Sequence, residues 1–132
     1  AYSLDTDTTE KFLSPPIASS HVTGFTVVTS PNLRFTYDDA TSITSLINVT
    51  MSSTQASGPT HDVEWALFKN GVEIVGSRAI RSISTGTYGS ISVTGLTSLS
   101  QNDYIEIKTK ADSNNVDVNY ANIYVSIIGM SA

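Results

Sequence analysis

Trp65-Ala66-Leu67-Phe68-Lys69-Asn70-Gly71-Val72-Glu73-Ile74-Val75 is two alternating apolar runs joined at an Asn-Gly pair. Asn and Gly both tolerate positive φ, which a primed two-residue turn requires, and the twist of that turn matches its flanking strands. The stretch therefore predicts a β-hairpin. Outward from it the period stays at two. Val63, Trp65 and Leu67 alternate with Glu64, Ala66 and Phe68. Asp103-Tyr104-Ile105-Glu106-Ile107-Lys108-Thr109-Lys110 puts Ile105, Ile107 and Thr109 on one face. Ile43, Ile47, Val49 and Met51 share a face of an earlier strand, and Ile123, Val125 and Ile127 do so near the end. Phe25 with Val27, Leu33 with Phe35 and Tyr37, Ile80 with Ile83, and Ile91 with Val93 supply further short runs.

That makes about eight to ten strands at regular spacing, the pattern of an antiparallel sandwich or barrel. No segment carries helix caps with an i, i+3, i+4 stripe. No repeat of propeller or solenoid length is present. The immunoglobulin-type sandwich is the competing all-β arrangement.

The chain has 132 residues, one domain by length. Residues 1–20 are polar, contain Ser14-Pro15-Pro16, and read as an arm or linker; residues 21–132 read as the folded unit. Only 14% of residues are charged, and Ser, Thr and Asn take their place, as on β-rich extracellular or virion proteins. Net charge is −5 and the seven Lys and Arg are scattered, which argues against a nucleic-acid partner and against anionic membrane surfaces. No apolar run is long enough to insert into a membrane. There is no cysteine, hence no disulfide framework or thiol chemistry. Ala1-Tyr2-Ser3-Leu4-Asp5 has neither an initiator Met nor a signal pattern, so further chain is expected upstream.

Reacting centres are hard to assemble. His21 and His61 sit in polar surroundings without a third ligand at workable spacing. In a strand, Asp62 and Glu64 share a face while His61 points away. Asp5 with Asp7, and Asp38-Asp39, read as turn carboxylates rather than a calcium loop. No Gly-x-Ser-x-Gly elbow or phosphate-cradling loop occurs. The expectation is a non-enzymatic protein with no cofactor. Asn48-Val49-Thr50 is a glycosylation sequon inside a predicted strand, with Asn48 facing out. Trp65 shares a face with Val63 and Leu67 and reads as core rather than a sugar platform.

Three segments together resemble a known family. They are Trp65 to Gly71, Ile91-Ser92-Val93-Thr94-Gly95-Leu96, and Leu99-Ser100-Gln101-Asn102-Asp103-Tyr104-Ile105-Glu106-Ile107. Their spacing is similar to the jelly-roll heads of the tumour-necrosis-factor and complement globular-head superfamily, relatives of which tip phage and virus fibres and spikes. In that family an Ala-Leu-x-x-Asn-Gly strand precedes a Leu-x-x-Gly-Asp-x-Ile/Val-x-Val strand, and an apolar last strand ends near Gly. This chain keeps Asp103 and ends Ile127-Ile128-Gly129-Met130, but has Asn102 where the family has Gly. Asn is the next best residue for a left-handed turn.

The resemblance implies an antiparallel jelly-roll sandwich assembled as a homotrimer at a virion surface or outside the cell. Its work would be attachment to a host-surface carbohydrate or protein receptor. The other implied role is a purely structural capsid or fibre-trimerisation module. Tyr104, Tyr124 and Ile128 fall opposite the core residues of their strands and are the expected trimer contacts. Loops around Ser52–His61 and Arg78–Gly89 are the expected receptor-contacting segments.

Overall fold

The computed structural model describes residues 2–13 and 24–131. The Pro15-Pro16 break and His21 lie outside them. The chain is all-β, with two antiparallel sheets packed as a sandwich and no helix among the described residues. The first sheet runs β1 (Tyr2–Thr6), β11 (Val116–Ser131), β5 (Ile43–Gln55), β9 (Gly89–Leu99). The second runs β3 (Phe25–Val28), β4 (Arg34–Tyr37), β10 (Tyr104–Ala111), β6 (His61–Lys69), β7 (Val72–Glu73). Two further strands flank it: β2 (Lys11–Phe12) beside β10, and β8 (Ala79–Ile83) beside β6.

The pairing is nested. β1 pairs with β11, β4 with β10, β5 with β9, and β6 with β8, all antiparallel. Successive pairs fall in alternate sheets, so the chain crosses between layers from β4 to β5, β5 to β6, β8 to β9, β9 to β10 and β10 to β11. β11 also pairs with β5, and β10 with β6, which closes each layer.

Alternation decides the core. Ile47, Val49 and Met51 of β5 and Val93 of β9 face Val63, Trp65 and Leu67 of β6 and Ile105 and Ile107 of β10, all of them buried. Leu33, Phe35 and Tyr37 close one side. Polar contacts join the layers inside at Tyr120: the Trp65 indole Nε1–H donates to its hydroxyl at 2.8 Å, and Thr109 hydrogen-bonds it as well. The Trp65 and Tyr120 rings meet edge to face at 6.5 Å, and the Tyr2 ring packs on Tyr120 at 5.6 Å. Burial raises the Tyr120 hydroxyl pKa well above the usual phenol value.

The predicted hairpin is there. Asn70 has φ 50° and Gly71 φ 83°, the two positive values a type I′ turn needs. Asn102 is likewise left-handed, with φ 73°. One strand runs further than the sequence reading has it. The expected loop from Ser52 is strand as far as Gln55, because Ser52, Thr54 and Gln55 continue the ladder opposite Asn122, Asn119 and Val118. The short run expected at Ile80 and Ile83 is β8, whose Ile83 is buried, and it takes up part of the Arg78–Gly89 segment expected to contact a receptor. The expected arm also contributes structure: β1 extends the first sheet and β2 the second, and Leu13 is fully buried.

The sandwich has two distinct ends. One carries the Asn70-Gly71 turn and the β4–β5 and β9–β10 connections. They are tied by Asn70 Nδ2 to Asp103 at 2.8 Å and Gln101 Nε2 to the Asp38 carbonyl at 3.1 Å. The other carries the loops 7–10, 56–60, 84–88 and 112–115.

Candidate functional site

The outward side of the first sheet can be read rung by rung across β11, β5 and β9. Tyr124 lies beside Thr50 and Ser92, Ser126 beside Asn48 and Thr94, Ile128 beside Leu46 and Leu96, and Met130 beside Thr44 and Ser98. No Asp, Glu, Lys or Arg stands in these rungs. The Ile128–Leu46–Leu96 rung is an unbroken aliphatic band with relative exposures of 56%, 37% and 60%. Tyr124, at 66%, and Met130 flank it. These apolar side chains are contiguous across three strands rather than scattered singly.

Of the three expected contact residues, the structure brings Tyr124 and Ile128 together and separates Tyr104. Tyr104 starts β10, whose neighbours are β4 and β6, so it belongs to the other layer. There it is half-buried, with the Arg34 guanidinium 3.9 Å above its ring.

The outward side of the second sheet has the opposite character. Arg34 binds Glu106 at 3.1 Å. Lys108 lies between the rings of Phe12 and Phe68, at 4.6 and 4.4 Å. Arg78 meets Glu10, Glu64 and Glu73 at 2.7, 3.1 and 2.6 Å. The Arg78 hydrogen bonds and charge hold the Glu73 carboxyl below its usual value. Each of these cations is already satisfied within the chain. Between the layers, Lys69, Val72, Val75, Leu96 and Thr97 line an open groove of about 300 Å³ beside the hairpin. Val75 is 97% exposed. Through Leu96 the groove is continuous with the aliphatic band.

At the loop end, the two segments expected to contact a receptor are stitched to each other. Thr54 Oγ1 donates to the Ser84 carbonyl at 2.9 Å, and Thr85 Oγ1 to the Gly58 carbonyl at 3.0 Å. His61 Nδ1 lies 2.8 Å from Asp112, which also accepts from the Asp62 amide at 3.1 Å. That amide bond, with His61, lowers the Asp112 pKa. The Ser82 hydroxyl donates instead to Asp62, so hydroxyl and imidazole go to separate carboxylates. Among the described residues no three His, Cys, Asp or Glu side chains are grouped to hold a metal. Trp65 is fully buried, as a core residue. The sequon residue Asn48 lies in the middle of the uncharged face, accepting from Thr94 Oγ1 at 3.0 Å.

The neutrality of this face escaped sequence reading, because β11, β5 and β9 come together only through register. Comparison with protein-family models, with curated proteins and with solved structures finds no significant match.

Proposed function

We propose that this chain is the jelly-roll head of a viral or phage fibre or spike, homotrimeric and non-enzymatic, attaching the particle to a host-surface glycan or protein. What carries this reading is the part of the first sheet's outer face that is free of charge, from the Tyr124 rung to the Met130 rung across β11, β5 and β9, with its Ile128–Leu46–Leu96 band. Copies of a chain with net charge −5 repel one another. A surface free of charge is where they can meet, and burying the aliphatic band then supplies the attraction.

The nested pairing supports the jelly-roll topology: first strand with last, and so inward, with successive pairs in alternate layers. The left-handed Asn102 supports the family resemblance at its one departure from the motif. A ring supports the geometry better than a two-fold dimer does. The candidate surface has two unlike parts, a flat uncharged face around Tyr124 and Ile128 and an edge groove in which Lys69 and Glu73 stand beside Val72 and Val75. Unlike parts fit a heterologous contact, which forms a ring where its rotation closes. Three copies then present three loop ends, and weak contacts to a repeated surface ligand add through avidity.

The test is binding of the intact chain to arrayed cell-surface glycans and to whole host cells. Binding that weakens sharply when the assembly is diluted to single chains supports attachment. An intact trimer that binds neither glycans nor cells overturns it in favour of the structural fibre-trimerisation role.

A further inference from the structure

We propose that Asn70 is a site of covalent self-modification, its carboxamide closing on the Gly71 amide nitrogen and ending as a carboxylate, with Asp103 as the clasp that restrains the reaction. The inference stands apart from the attachment reading.

Of the eight asparagines in the sequence, only Asn70 precedes glycine. The pairing matters because the following amide nitrogen is the nucleophile, and a β-carbon beside it hinders its approach. Gly71 has no side chain, and the space a β-carbon would take has no atom beyond the chain neighbours within 4 Å. Both residues are exposed, so hydroxide and water reach them. The step balances without a redox partner. Hydroxide removes the Gly71 amide proton, the nitrogen bonds to Asn70 Cγ, and the Cγ–Nδ2 bond breaks to release ammonia. Water then opens the cyclic imide at either carbonyl, leaving an aspartate or an isoaspartate link at this position.

The folded chain holds the carboxamide at both ends. Nδ2 donates to Asp103 Oδ1 at 2.8 Å, and Oδ1 accepts from the Tyr104 amide at 3.0 Å. The Asn70 amide donates to the Tyr104 carbonyl, also at 3.0 Å. Asn70 thus carries the β6–β10 pairing one step beyond Lys69 and Ile105. Ring closure makes Cγ tetrahedral and expels Nδ2, so it cannot proceed with both side-chain bonds kept. Asp103 is itself fixed, accepting from the Ser100 amide at 2.8 Å and facing Lys69 at 3.6 Å. That amide bond, with Asn70 and Lys69, keeps its carboxyl below the ordinary value, so it stays ionised and accepting at neutral pH.

The product cannot rebuild the clasp. A carboxylate has no donor for Asp103, and two anions then face each other where the 2.8 Å hydrogen bond stood. An isoaspartate also lengthens the backbone inside a two-residue turn, which no longer matches its flanking strands. Either product loosens the hairpin from the β9–β10 connection.

The test incubates the intact folded chain in mildly alkaline buffer beside the same chain unfolded in urea, with conversion read by peptide mapping and released ammonia. In urea, conversion is expected at Asn70 ahead of every other asparagine. In the folded chain it should be at least about tenfold slower, the factor that one hydrogen bond to a charged acceptor supplies. Asp103→Ala should restore most of that rate, and Asp103→Asn, with an oxygen acceptor but no charge, should fall between. If Asp103→Ala does not fold, Asp103→Asn carries the comparison. Tyr120→Phe weakens the fold away from the turn and should leave the rate unchanged. Asn70→Asp, which bears the product's charge, should melt below the wild type at neutral pH. Equal rates in the folded wild type and the Asp103 variants overturn the clasp, and so does equal acceleration by Tyr120→Phe. Conversion at Asn70 no faster than at other asparagines in urea overturns the site, and an Asn70→Asp chain that melts as the wild type overturns the loosening.

Discussion

Replacing Leu46 by Asp separates the fold from the assembly. Leu46 is the middle of the aliphatic rung, between Ile128 and Leu96, and is 37% exposed in the single chain. In that chain an Asp side chain turns to water. The loss is then partial burial and strand preference, about 1 kcal/mol. In the assembly the same carboxylate is buried without a free cation, since the rungs around it hold none and Lys69 of the groove is paired with Asp103 at 3.6 Å, and an unpaired buried charge costs about 3–5 kcal/mol. Association should therefore weaken by at least about a hundredfold while the chain stays folded. Sedimentation velocity over a dilution series reads the first effect, and thermal melting below the dissociation concentration reads the second. Leu46→Thr, neutral and strand-compatible, should weaken association far less. A Leu46→Asp chain that sediments as the wild type at every concentration refutes the reasoning.

Tyr120→Phe leaves the Trp65 Nε1–H without its acceptor in a dry core and should cost about 1–3 kcal/mol in denaturant unfolding; an unchanged midpoint contradicts the inter-sheet bond. Gly71→Val forces a β-branched residue to φ 83° and should lower stability by at least about 1 kcal/mol; an unaltered melting temperature contradicts the type I′ turn. Hydrogen bonds from the Ser100 amide and Asn70, with the Lys69 charge, hold the Asp103 carboxyl below its ordinary 3.8. A lowered folded value contributes stability above the unfolded pKa that is lost as pH falls through the folded one. Acid unfolding should therefore shift to a flatter profile below about pH 4 in Asp103→Asn, and identical acid limbs for both chains would contradict the assignment.

The strands with strict alternation were legible because one face of each is buried. Val63, Trp65 and Leu67, or Ile105, Ile107 and Thr109, need only the period of two to declare their inward side. The Asn-Gly turn was legible because few residue pairs accept two positive φ values. What stayed hidden depended on pairing. Tyr2-Ser3-Leu4-Asp5-Thr6 is too polar to announce a strand, yet it finds one by lying against Tyr120 to Val116. β11 reads as two runs because an irregularity between Tyr120 and Asn122 resets its alternation, so Val118 and Tyr120 face inward, and then Ile123 and Val125. Tyr104 shows the limit for the candidate site. Its outward side was readable from Ile105, but which sheet owned that side was not.

The most direct measurement is the native mass of the unmodified chain at micromolar concentration. Burial of the neutral face by identical copies predicts a species of three times 14.1 kDa that gives way to single chains on dilution. A mass of 14.1 kDa throughout, with Leu46, Leu96 and Ile128 open to solvent, contradicts the account.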